Sequence, residues 1–378
     1  MKKIAKLSLV AAVAVAGLTN VNAASLEEAI KGVDISGQFR YRFQEKKVEG
    51  EFASNPALAT DTNNETGSDV EIEVTAKVPV TENVTAVIKI DNANNDDDDS
   101  ITKGSVDIED YYFSYNAGAL TVNAGQQNIP GRMTDGHQGD GIVALYNLGS
   151  ATIGAAAFAN HDVDVSAVAL DGSQSLLSVI AMGNVGPVSL LGQYATVDDT
   201  VDSFNLKADA NFNMVKVGAE YTESELDAAT GVASALRDDR STLKAYVAGN
   251  VGIVSAKLTY AATGDNGSGS IDNQTTTETE TPAEYLLWNL GTATNADMDL
   301  YAIDASVKVT PKLSLRAAYA EGEIGSGAGK DVYEVLGQIS YKVSKNLNTY
   351  VRYAEFDTDA GSNSADGQRG RVEVKYSF

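Results

Sequence analysis

Apolar and polar residues alternate with a period of two along most of this chain, the pattern of strands whose two faces meet different media. The C-terminus is the clearest case: Val372, Val374, Tyr376 and Phe378 fall on one face, and Glu373, Lys375 and Ser377 on the other. The first candidate strand reads the same way. Val33, Ile35, Gly37, Phe39, Tyr41 and Phe43 alternate with Asp34, Ser36, Gln38, Arg40, Arg42 and Gln44. First and last strands of matching pattern suit a sheet that closes on itself, because the two must then pair.

Between these ends the rhythm repeats. Strand patterns near 70–78, 84–90, 111–115, 120–124, 142–146 and 152–159 are followed by pairs through 176–195, 203–222, 242–261, 300–320 and 332–355. Every second connection is short, as at 79–83, 116–118, 184–186, 250–252 and 344–346, and the others are long and polar, the longest near 262–298. The alanine-rich stretch at 142–160 does not fix its own register. The count is about 18 strands, or 16, of about 10 residues each, the length that crosses a bilayer at a tilt. The expected fold is therefore an all-β transmembrane antiparallel β-barrel with short periplasmic turns and long extracellular loops. A sandwich or propeller would scatter its loop lengths.

Composition adds the compartment. Lys2, Lys3 and Lys6 precede an apolar run over 7–18, and Val21-Asn22-Ala23 suits signal-peptidase cleavage, giving a signal peptide at 1–23 and a barrel domain at 24–378. The apolar run is too short for a spanning helix, which needs about 20 residues. Residues 25–31 could form a helical turn or two with Ser25 as N-cap and Glu28 at the capping-box position. There is no cysteine, so stability must come from burial and a hydrogen-bonded sheet. A formal net charge of −24 argues against nucleic acid as a partner. Such a chain is expected in the outer membrane of a Gram-negative bacterium.

Lipid offers no hydrogen bonds, so the apolar faces must point outward and the charged faces inward. Arg40, Arg42, Lys77, Lys89, Lys207, Arg316, Arg352, Arg371 and Lys375 are thus expected on the wall of a lumen. The connection after the fifth strand, about 126–140, carries Asn128, Arg132, Asp135, His137 and Asp140 among glycines, and is the candidate to fold inward and narrow the pore. The acidic run at 96–99 reads as a solvated loop, since consecutive aspartates lack the spaced ligands of a calcium site. The glycine-rich stretch 325–330 is not a phosphate loop: Ile324 stands where the first glycine is required and Asp331 where Ser or Thr is. His137 and His161 are the only histidines, and no serine sits in a nucleophile elbow, so no enzyme is expected.

The start at 26–37 (LEEAIKGVDISG), the 112–115 segment, Ala124-Gly125-Gln126-Gln127, the run from Thr134-Asp135 through Asp140-Gly141, and the aromatic C-terminus resemble the Campylobacter-type major outer membrane protein porins. The resemblance implies an 18-stranded trimeric, cation-preferring porin with an inward third loop. It also implies a calcium site, whose ligands cannot be carried over residue by residue; no other cofactor is expected. Tyr376 and Phe378 would then form the signal read by the barrel-assembly machinery. The resulting expectation is a water-filled channel for ions and small hydrophilic solutes, seated in outer-membrane lipid, with Asp135 and Asp140 facing Arg40, Arg42 and Arg371 across the constriction. The alternative is a structural or adhesive barrel whose long loops bind host or matrix.

Overall fold

In the computed structural model, the residues described are 32–49, 63–93, 105–163, 174–231, 233–238, 240–269, 271, 282, 286–293, 295–325, 330–357 and 366–378. The signal peptide, the 25–31 turn, the acidic run at 96–99 and most of 325–330 lie outside them. Eighteen strands follow in order: β1 (Asp34–Glu49), β2 (Asn63–Pro79), β3 (Val84–Ala93), β4 (Ser105–Ala117), β5 (Leu120–Asn128), β6 (Gln138–Asn147), β7 (Ala151–His161), β8 (Leu176–Val185) and β9 (Val188–Val197). The second half comprises β10 (Val201–Phe212), β11 (Val215–Leu226), β12 (Arg240–Val251), β13 (Val254–Thr263), β14 (Met298–Lys308), β15 (Leu313–Ile324), β16 (Lys330–Lys342), β17 (Leu347–Asp357) and β18 (Asp366–Ser377). Each pairs antiparallel with its sequence neighbours, and β1 pairs with β18, so the sheet is a closed barrel.

The seam is long, running from Gln38↔Ser377 to Glu49↔Asp366. Gly37 N donates to Phe378 O and Phe378 N to Gly37 O, both at 3.1 Å, tying the last residue into the ladder. A Cβ at position 37 would run into the Glu73 carbonyl and the Phe378 ring, so the seam requires glycine there. Phe39 and Phe378 rings meet at 5.8 Å, and Tyr376 lies 6.1 Å from Phe378.

The outer face is apolar, as the alternation requires. Ile35, Leu206, Leu258, Tyr301 and Val351 all stand exposed on it, in the position of lipid contacts. Connections at the end holding Phe378 are short, such as 118–119, 186–187 and 213–214. The far end departs from the expected rule in two places: β9 and β10 are joined by 198–200 alone, where Asp199 takes a positive φ of 52°, and β15 and β16 by 325–329. The third connection is also shorter than expected, 129–137, because β5 and β6 extend to Asn128 and from Gln138.

The inner face is not uniformly polar. Two buried apolar clusters lie inside the wall. One gathers Ile129 and Met133 of the third loop with Val143, Phe158, Leu176, Val197 and Leu226 of β6–β11; the other gathers Leu287, Trp288 and Leu290 of the 264–297 loop with Leu300, Ala320, Val332, Leu336 and Ala354 of β14–β17. Each fully buried side chain of this size contributes about 1.5–3 kcal/mol. The third loop and the 286–290 segment therefore fold into the barrel, where burial against the wall holds them.

A barrel of this kind should be strand-dominated by far-ultraviolet circular dichroism, and an unheated sample in detergent should migrate differently from a boiled one. Substantial helix, or solubility without detergent, would contradict it.

Candidate functional site

The third loop is pinned to one side of the lumen. Arg132 is buried and makes a two-pronged pair with Glu220 of β11, Nε to Oε1 at 2.8 Å and Nη2 to Oε2 at 2.9 Å. Asn205 Nδ2 also donates to Glu220 Oε1 at 2.9 Å, and the register sets Lys207 and Lys244 beside Glu220 on the flanking strands. Gln193 of β9 accepts from Met133 N at 2.9 Å and donates to Thr134 Oγ1 at 3.3 Å. Gly131, at φ 142°, lies against the Gln193 side chain, where a Cβ would clash. The loop closes on itself through Ile129 N to His137 O at 2.8 Å, and the buried His137 sets Nδ1 3.1 Å from Asp162 Oδ1.

Of the other residues expected in this loop, Asp135 belongs to it and is half-buried. Asn128 instead ends β5, exposed, and accepts from Gln138 Nε2 at 2.8 Å. Asp140 lies within β6, paired with Gln126 and Asn160. Added Cβ atoms on its neighbours Gly139 and Gly141 would both meet the inward Phe158 ring, so alternation turns Asp140 to the opposite, outer face, with Ile142. It does not face the arginine wall. The sequence placed it in a loop because Gly139-Asp140-Gly141 reads as a turn, whereas the glycines make room for Phe158.

The basic residues expected on the wall divide into two bands. On β1, Arg40 pairs with Glu71 and lies 3.7 Å from Asp69, while Arg42 Nε bonds Glu373 Oε2 at 2.7 Å. Lys89 on β3 bonds Glu109 at 2.6 Å and approaches Glu73 at 3.6 Å. Asp69, Glu71, Glu73, Asp91, Glu109 and Asp110 thus share the inner side of β2–β4 with Arg40 and Lys89, an acidic excess. Its signal was present in the alternation: Asp69, Glu71 and Glu73 sit between Val70, Ile72 and Val74. Lys77 is exposed near the periplasmic end, opposite Asp34, and Lys375 pairs in register with Arg40.

The second band is basic. The register aligns Gln44, Arg371, Arg352, Gln338 and Arg316 in one lateral row from β1 through β18, β17 and β16 to β15. Arg371 Nη2 bonds Gln44 Oε1 at 2.6 Å, Arg352 Nε bonds Gln338 Oε1 at 2.7 Å, and Arg316 Nε bonds Asp304 Oδ2 at 2.8 Å. Lys207 lies on β10, away from this row. Over the row lies Trp288, with its ring centre 4.5 Å from the Arg369 guanidinium, 5.0 Å from Arg352 and 5.3 Å from Arg371. Sequence reading treated this loop as extracellular. The sole tryptophan, within Leu286-Leu287-Trp288-Asn289-Leu290, was the available sign of burial.

Among the described residues no three His, Asp or Glu side chains are grouped to hold a metal ion. The family described as Campylobacter major outer membrane protein matches residues 1–186. No curated protein matches the chain. Among solved structures, OpdK of Pseudomonas aeruginosa is similar with a TM-score of 0.69 at 14% identity, covering 91% of this chain and 98% of that one. OpdL of the same organism gives 0.71 at 14% identity, over 91% and 99%, and OpdQ 0.68 at 13%, over 91% and 98%. At such identities the likeness is one of fold. Family match and fold together support an outer-membrane porin, a channel rather than an enzyme.

Proposed function

Taking as premise a chain whose residues 1–186 match the Campylobacter major outer membrane protein porins, in the 18-stranded fold of outer-membrane channels, we propose that it passes ions and small hydrophilic solutes by diffusion and prefers cations. The observation that carries the preference is the acidic band on β2–β4. Carboxylates outnumber bases there, whereas on the other band Trp288 covers Arg352, Arg369 and Arg371. Low-dielectric walls focus such a field and enrich the counter-ion. Asp135 of the third loop adds to it. The barrel is further proposed to assemble as a homotrimer after insertion by the barrel-assembly machinery, with calcium as a family-derived candidate ligand.

Asp91 and Asp110 have no salt-bridge partner among the described residues, and one oxygen of each is buried without a hydrogen bond. Replacing both by Asn should lower the cation-over-anion permeability ratio in planar bilayers at about 0.1 M salt, where the screening length is about 10 Å, and much less at about 1 M, where it is about 3 Å. Asp140→Asn, on the outer face, should leave the ratio unchanged. Reversal potentials that ignore the double substitution would reject this band as the source. A wild-type barrel that carries no current would favour the adhesive alternative.

A further inference from the structure

Glu334 on β16 is fully buried inside the barrel and engages the 264–297 loop alone among the contacts described. Its carboxylate accepts the backbone N–H of Trp288 at 3.1 Å, of Asn289 at 2.8 Å and of Leu290 at 2.9 Å, and Asn289 Nδ2 at 3.1 Å. Converging N–H donors call for a group that only accepts, which an ionised carboxylate is. Leu287 and Leu290 are packed into the wall on either side. The carboxylate therefore fixes the position of Trp288, whose ring covers Arg352, Arg369 and Arg371. Arg352 and Arg371 face one another across β17 and β18 and bond amide oxygens, with no carboxylate in salt-bridge range among the described residues. Their charge is thus not neutralised by a partner; it is only covered.

We propose that Glu334 and Trp288 determine the ion preference of the channel by holding a cap over this arginine row. Covered, the row contributes little to the field seen by a permeating ion. Uncovered, it draws small anions into the lumen and offsets the acidic band. This inference rests on the channel reading above, but concerns the change in preference between variants and not its absolute sign.

Two readouts test it. Trp288 is the only tryptophan, so its fluorescence reports the cap directly. In the full-length wild-type barrel it should resist quenching by iodide, and in Glu334→Gln, whose amide cannot accept all the converging donors, it should become accessible. In planar bilayers, Glu334→Gln and Trp288→Ala should each lower the cation-over-anion ratio about fivefold at about 0.1 M salt, the weight of one unit charge at close range in water. Trp288→Phe, which keeps an aromatic face, should stay near the wild-type ratio, and adding Arg371→Gln to Trp288→Ala should recover most of the loss. Folding of each variant is checked by heat-modifiable migration. Unchanged quenching in Glu334→Gln overturns the latch. An unchanged ratio in folded Trp288→Ala, or no recovery with Arg371→Gln, overturns the cap. A wild-type channel that prefers anions and shifts further toward them in Trp288→Ala would reject the cation preference while upholding the cap.

Discussion

Glu220→Gln is expected to convert a steady channel into a flickering one. Glu220 receives Arg132 in a two-pronged pair, and it is flanked in register by Lys207 and Lys244. Removing its charge breaks the two-pronged pair with a buried guanidinium. Breaking one side of a buried pair costs about 3–5 kcal/mol. The third loop is held otherwise by Gln193 and by burial of Ile129 and Met133, so the loss falls on the loop and not on the strand ladder. Single-channel records of the variant should show frequent closures at voltages the wild type tolerates, while heat-modifiable migration stays normal. Arg132→Met should be milder, because Glu220 keeps Asn205 and the two lysines. The double variant should be milder than Glu220→Gln alone, since the buried guanidinium is removed together with its carboxylate. A Glu220→Gln record as quiet as the wild type would mean that the pair does not anchor the loop.

How much of this could be read from the sequence depends on which side of the sheet is asked about. The outer face faces one medium, lipid, so Phe39, Tyr41, Val372 and Val374 alternate strictly and the barrel, its closure and its strand count were legible. The inner face meets water in some places and folded loop in others. Where it meets loop, both faces of a strand are apolar and alternation disappears. That is why 142–160 did not declare its register: Val143, Ala156 and Phe158 cover the third loop, while Ile142, Ile153 and Ala157 face outward. A bulge between Asp140 and Gly141 adds a further irregularity there. The basic wall residues were legible because an arginine on a strand between apolar neighbours has only one place to go. The cover over the arginines was not, because Glu334 and Trp288 are brought together by a chain reversal whose length and direction no local pattern encodes.

Deleting Phe378 is expected to reduce the amount of protein in the outer membrane severely while leaving the conductance of the channels that do form unchanged. Its contribution to the folded barrel has three parts: two backbone hydrogen bonds to Gly37, the ring contact with Phe39, and the stack on Tyr376. Phe378 stays 40% exposed, so its ring contributes only part of the about 1.5–3 kcal/mol of a fully buried one, and each hydrogen bond adds about 1 kcal/mol. The rest of the seam, from Gln38↔Ser377 to Glu49↔Asp366, stays intact, so a barrel once closed should persist. The penalty should therefore appear during closure, when β18 must find β1 and the terminal residue is the first part of the seam at the periplasmic end. The lumen-facing residues Glu373 and Arg371 are untouched by the deletion, which is why ion flow should not change. Yield is measured by outer-membrane fractionation, and conductance on the recovered protein. Phe378→Tyr, retaining ring and backbone, should restore yield; normal yield of the deletion would show that the terminal residue serves the finished barrel only as lipid contact.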